Sequence, residues 1–185
     1  MNKSHKLRQD NYKKLSLAAI FIALSIVFAR LLYINIVVFR FSFAPIPLHL
    51  AGYLLGPVWG FLVGAMSDLI GVMINSQGTM HWGITLVSAL QATIPGLVIL
   101  FNRKKLDIKS IIISNIFTTA ICSLLLMTIF LAQLQGKGFN ALFEVRVLNS
   151  SLQGLLYMII EILLLPVLKS IEKYLPDDVE VKSFR

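Results

Sequence analysis

Apolar runs of membrane-spanning length alternate along the chain with short polar breaks, and charge collects in the breaks. A helix needs about 20 apolar residues to cross a bilayer. The pattern predicts six spans: Leu15 to Tyr33, Leu48 to Leu55, Val58 to Ile74, Gly83 to Phe101, Ile108 to Leu134, and Val145 to Leu168. The second is short, so we expect it to be tilted or extended by the irregular segment before it, where Pro45 and Pro47 break the entry. Gly56-Pro57 makes the turn between the second and third. The expected fold class is an all-α integral membrane protein, a compact bundle of six transmembrane helices.

Polar residues inside these spans are few and periodic. At about 100° per residue, Gly60, Gly64, Asp68 and Gly71 fall within one arc of the third helix, so one face is nearly free of side chains apart from a carboxylate. Asn75 follows seven residues later on the same face. The fourth helix carries Gln91 and a kink at Pro95-Gly96. The fifth carries Asn115, Thr118, Thr119, Ser123 and Thr128, neutral groups of the kind that serve helix packing. On the sixth, Arg146, Asn149, Gln153, Tyr157 and Glu161 make a single polar stripe, which must face protein or a water-filled cavity because lipid would penalise it. Ala19 and Ala23 on the first helix form a small-xxx-small step open to close approach by another helix.

Composition supports the membrane reading. The chain is 57% hydrophobic and 14% charged, with a mean hydropathy of +0.79, too apolar for a soluble globular domain. Its basic character does not point to nucleic acid. Most of the 17 Lys and Arg lie in three clusters, around Lys3 to Lys14, Arg103 to Lys109 and Lys169 to Arg185, which read as cytoplasmic topology signals with both termini inside. That divides the chain into a basic tail at 1–14, a membrane domain at 15–170 and a cytoplasmic tail at 171–185. The apolar run after the basic start lacks a small-residue cleavage site and reads as a retained first helix. Cys122, alone, cannot form an intrachain disulfide and reads as a packing residue. The second half does not repeat the GP turn and glycine ladder of the first, which weakens an inverted-repeat carrier reading.

Catalysis finds no support. The sequence has no G-x-x-x-x-G-K-[ST] loop and no H-E-x-x-H motif, and His5, His49 and His81 stand isolated, so we expect no catalytic residues, no metal and no cofactor. What remains is recognition chemistry. Arg40 and Arg146 supply positive charge at the outer side. Asp68, Asn75, Thr79, His81, Gln91, Asn149 and Gln153 supply directional hydrogen bonds, and Phe41, Phe43 and Trp82 supply stacking faces. Such a set suits a flat polar heterocycle with an anionic tail. A carboxylate can accept two hydrogen bonds from an amino-substituted ring edge, which gives Asp68 a role. A different class of function, a proton-coupled carrier, would use Asp68 and Glu161 as its titrating pair.

With these residues in view, the stretch Arg40 to Gly71, RFSFAPIPLHLAGYLLGPVWGFLVGAMSDLIG, together with Ala19-x-x-x-Ala23 and the basic amino-terminal tail, resembles the substrate-binding S-components of energy-coupling factor (ECF) vitamin transporters. The portion Gly56 to Asp68 is shared widely among S-components, whereas Arg40 to Pro47 is similar to the folate members. The resemblance implies a folate-binding subunit in a prokaryotic cell membrane. It implies as partners a transmembrane coupling protein (T-component), contacted through Ala19 and Ala23, and two cytoplasmic ATPases. It also implies that the subunit topples in the bilayer to carry its site inward. The loop Asn75 to Trp82 departs from the Phe-Pro-rich loop of the folate members. Other water-soluble vitamins or precursors, of the pantothenate, hydroxymethylpyrimidine or pyridoxine type, therefore stay open.

Overall fold

The computed structural model describes residues 3–30, 33–36, 39–74, 81–102, 106–136 and 138–172. Side chains are described from Asn11 onward within these, apart from residues 33–36, 39–41, 141 and 172. The helices are α1 (Lys3–Arg30), α2 (Pro45–Leu55), α3 (Pro57–Ile74), α4 (Trp82–Phe101), α5 (Ile108–Thr118), α6 (Met127–Gln135) and α7 (Phe139–Glu172). A π-helical segment, Thr119–Leu126, joins α5 to α6 in one rod. Two short strands, β1 (Tyr33–Ile36) and β2 (Phe39–Ser42), pair antiparallel, with Tyr33 opposite Ser42 and Asn35 opposite Arg40.

Among the described residues, five helical stretches are long and apolar enough to cross a membrane: Asn11–Arg30, Pro57–Ile74, Trp82–Phe101, Ile108–Gln135 and Leu142–Ile171. The expected second span is the 11-residue α2. At about 1.5 Å per residue it covers roughly half of a bilayer's hydrocarbon core. Such a short helix is tolerated because protein surrounds it: Ile46, Leu48, Ala51, Tyr53, Leu54 and Leu55 are all buried. The β-hairpin precedes α2, so the expected all-α bundle carries one small element of sheet. Hairpin pairing satisfies backbone groups that an irregular connection would leave open.

Three other departures from the expected elements have local causes. Helix α1 starts at Lys3 rather than Leu15, since Lys, Arg and Gln are good helix formers once an apolar segment nucleates the helix. Helix α7 starts at Phe139 rather than Val145. Gly136, at φ 62°, closes α6 in the left-handed conformation that glycine adopts freely, so the turn is short and α7 starts early. The π segment replaces regular α-helix around Cys122, a feature with no periodicity signal in the sequence.

Glycine sets the tightest packing. A Cβ on Gly52 of α2 would collide with the Ala92 carbonyl of α4, and one on Gly60 of α3 would lie 2.5 Å from that same oxygen. A Cβ on Gly64 would lie 2.7 Å from Ala89 Cα. The bare face of α3 therefore receives the backbone of α4, with Val63, Ala89 and Ala92 buried beside it. Gly96 of α4 accepts the Gly56-Pro57 turn in the same way. Gly56 itself has φ 86°, and its N–H donates to the Gly52 carbonyl at 3.1 Å. We expect Gly64→Val to destabilise the fold by about 1–3 kcal/mol through overpacking. Gly138→Ala, where nothing lies within 4 Å, should be neutral. Thermal unfolding of the two variants in detergent checks this, and equal midpoints would mean that α4 yields at no cost.

Candidate functional site

Helices α3 and α4, brought together by the glycine face, join Asp68 to Thr85. The Thr85 hydroxyl donates to Asp68 Oδ2 at 2.6 Å, and Asp68 is half-buried. The carboxylate expected at the floor of a site is thus held by one hydrogen bond. One turn further along α3, Gly71 faces the guanidinium of Arg30 at the end of α1.

The polar stripe of α7 turns inward. Gln153 Nε2 donates to Asn149 Oδ1 at 3.0 Å, and Tyr157 Oη lies 2.7 Å from Gln153 Oε1 and 2.5 Å from the Ser42 carbonyl. One phenolic proton serves one of these acceptors at a time. The stripe therefore reaches strand β2 and ties the hairpin to α7. Arg146 opens the stripe and is held internally: Nε donates to Thr128 Oγ1 at 3.1 Å, and an Nη2 hydrogen goes to the Ser123 carbonyl at 2.9 Å. Both partners belong to the rod of α5 and α6, the carbonyl to its π segment. Gly154 of α7 seats against Thr119 of that segment.

The last residue of the stripe anchors a second cluster. Glu161 has no exposed surface. His49 Nδ1 lies 2.6 Å from its Oε1, while the Tyr53 hydroxyl and Asn115 Nδ2 donate to its Oε2 at 2.9 and 2.7 Å. Tyr53 also bonds the Ser114 hydroxyl. Helices α2, α5 and α7 converge on this one carboxylate, and the His49 ring meets Tyr157 edge-on at 6.4 Å. The only hint in the sequence was the position of Glu161 at the end of the stripe. His49 looked isolated because its partner lies 112 residues away.

The expected site residues thus separate. Asp68, Asn149 and Gln153 lie on inward-facing networks, Gln91 and Phe43 are half-buried, and Arg146 is occupied by protein acceptors. His81 is committed to local structure: its Nδ1 accepts the Gly83 N–H as the cap of α4, and its ring packs on Phe130 at 5.6 Å. Trp82 is 75% exposed. Asn75 and Thr79, and the side chains of Arg40 and Phe41, lie outside the described residues. Asp68 and Glu161, which a proton-coupled carrier would pair, belong to different networks. Ala19 and Ala23 are exposed on α1, while Ala18, Phe21 and Ser25 face the bundle.

Comparison with known proteins adds to this geometry. Residues 13–169 match the family model described as ECF transporter, substrate-specific component. The chain is 33% identical over 142 residues to the folate transporter FolT of Clostridium novyi (strain NT), covering 77% of this chain and 81% of that protein. It is 35% identical over 89 residues to the uncharacterized protein MG313 homolog of Mycoplasma pneumoniae, covering 48% of this chain and 30% of that protein. The crystal structure of FolT bound with folic acid shares the fold, with a TM-score of 0.71 at 22% identity over 80% of this chain and 90% of that one.

Removing the Glu161 carboxylate takes away the acceptor that three buried groups share, and it strips His49 of the hydrogen bond at Nδ1. We expect Glu161→Ala to cost about 3–5 kcal/mol and Glu161→Gln, which keeps the shape and one acceptor, to cost less. Detergent melting curves check this, and equal losses would mean that volume rather than hydrogen bonding holds the cluster.

Proposed function

Because the chain belongs to the substrate-specific components of ECF transporters, we propose that it is the folate-capturing subunit of an ATP-driven importer in a prokaryotic cell membrane. The observation that carries the reading is the 33% identity to a folate transporter across 77% of the chain. The inward-facing groups agree with it. Asp68 suits an amino-substituted ring edge, and Asn149 and Gln153 suit the polar atoms of a heterocycle.

In this division of labour the subunit binds the ligand and carries out no catalysis. A transmembrane coupling protein transmits the work of two cytoplasmic ATPases, and the bound subunit topples to deliver its ligand. The end bearing the basic clusters faces the cytoplasm by the positive-inside rule, so both termini lie inside and the hairpin end meets the external medium. To Arg40, Phe41 and Phe43, on or beside the hairpin, we assign the first contact with incoming ligand. The exposed step Ala19-x-x-x-Ala23 offers the coupling protein a surface for close helix contact.

Purified protein should bind one folic acid per chain without ATP, as measured by calorimetry. Tight binding of pantothenate, hydroxymethylpyrimidine or pyridoxine in its place would overturn the folate assignment. Ala19→Trp and Ala23→Trp should retain that binding yet lower ATP-driven uptake by the reconstituted complex to background. Loss of binding instead would show that this face packs internally.

A further inference from the structure

Around the Glu161 cluster, His49 Nε2, Asn115 Oδ1 and Thr118 Oγ1 are buried and have no hydrogen-bond partner among the described residues. His49 and Thr118 are each 2% exposed and Asn115 is 3% exposed. A polar atom shut away from solvent and left unmet costs free energy, so three of them in one region call for a shared partner.

Their positions bring them to one level of the bundle. Helix α7 runs antiparallel to the rod of α5 and α6: Asn115 meets Glu161, Thr119 meets Gly154, and the Ser123 carbonyl meets Arg146. Thr118 is three residues beyond Asn115, about 4.5 Å along the axis and on the same face. It therefore lies level with the turn of α7 between Glu161 and Gly154, the turn that carries Tyr157. The His49 ring bonds Glu161 through Nδ1 and stands edge-on to Tyr157, at that same level. A single molecule with hydrogen bonds of about 2.8 Å bridges polar atoms up to about 5.5 Å apart, enough to link neighbouring turns.

The donor and acceptor inventory selects that molecule. Asn115 Nδ2 spends its hydrogens on the Ile111 carbonyl at 3.2 Å and on Glu161 Oε2 at 2.7 Å, so its Oδ1 can only accept. With His49 Nδ1 donating to the carboxylate, a neutral ring presents Nε2 as a second acceptor. The Thr118 hydroxyl can donate or accept. Two acceptors and one versatile group suit a small neutral molecule with two hydrogens and a lone pair. A hard cation prefers a shell of oxygens, of which these three atoms supply two, and an anion would face Glu161.

We propose that His49, Asn115 and Thr118 hold one internal water, which donates to Asn115 Oδ1 and His49 Nε2 and accepts from the Thr118 hydroxyl. The water gives α2 a second link to α5 beside the bond between Tyr53 and Ser114. None of the three residues is among the groups assigned to the ligand, so the site stands independently of the folate reading.

Two measurements test this, and both must succeed. A crystal structure of the wild-type protein at a resolution that shows waters should place one within about 3.2 Å of at least two of the three atoms. Side chains turned to bond one another, or a water touching fewer than two, overturns the proposal. Thr118→Val keeps the shape and removes the hydroxyl, and thermal unfolding in detergent reads its effect. A water-bonded hydroxyl predicts a midpoint about 2–4 °C lower than wild type. A dry, unmet hydroxyl predicts the opposite sign, because valine removes its desolvation cost, so an equal or higher midpoint overturns the water. The wild-type midpoint should be the same in sodium chloride and in choline chloride of equal ionic strength. A higher midpoint in sodium makes the occupant a cation and also overturns it. Should Thr118→Val fail to fold, the crystal structure and the salt comparison decide alone.

Discussion

A carboxylate with no exposed surface must find hydrogen-bond partners within the protein, and much of this structure depends on how Glu161 finds them. Its two oxygens meet groups from α2 and α5, so three helices distant in sequence are pinned at one point. Breaking such a cluster is costly because the abandoned partners have no bulk water to turn to. The cluster also accounts for α2. An 11-residue helix that cannot span a bilayer is held at the centre of the bundle by His49 and Tyr53, two of its own side chains.

The position of α2 in turn decides the architecture at the hairpin end. The hairpin leads into α2 through Pro45, and Tyr157, one turn before Glu161 on α7, bonds the Ser42 carbonyl. Polar residues spaced by four on α7 thus hold the hairpin at one level and α2 at another. On the opposite side of α2, glycine in place of side chains lets α3 and α4 approach until Thr85 reaches Asp68. The proposed ligand groups therefore sit on a frame fixed by two different means: hydrogen bonds on the α7 side and backbone contact on the α4 side.

Much of this was legible beforehand. The apolar runs, the Gly56-Pro57 turn, the glycine face of α3 and the inward stripe of α7 follow from periodicity and from the expense of polar groups in lipid. The hairpin was not legible, because Tyr33 to Ser42 is short and its pairing depends on the flanking helices. Nor was the π segment, since one extra residue per turn leaves an apolar run looking unchanged. His81 and Trp82 read as ligand-facing residues from their polar and aromatic chemistry; the tertiary structure adds that His81 Nδ1 also caps α4 and that Trp82 is largely exposed. The placement of Arg30, which ends α1 with its guanidinium beside Gly71 of α3, joins two helices and has no signal in the local sequence.

Sequence by itself determined that this is a helical membrane protein, which faces of its helices are small or polar, and which family it resembles. Those properties depend on local composition and on the period of the helix. Tertiary structure alone decided that His49 meets Glu161, that Arg146 is spent on the rod of α5 and α6, and that the Arg30 guanidinium lies beside Gly71. Each of those joins residues from different helices. Helical periodicity states which face a residue occupies but not which neighbour that face will meet.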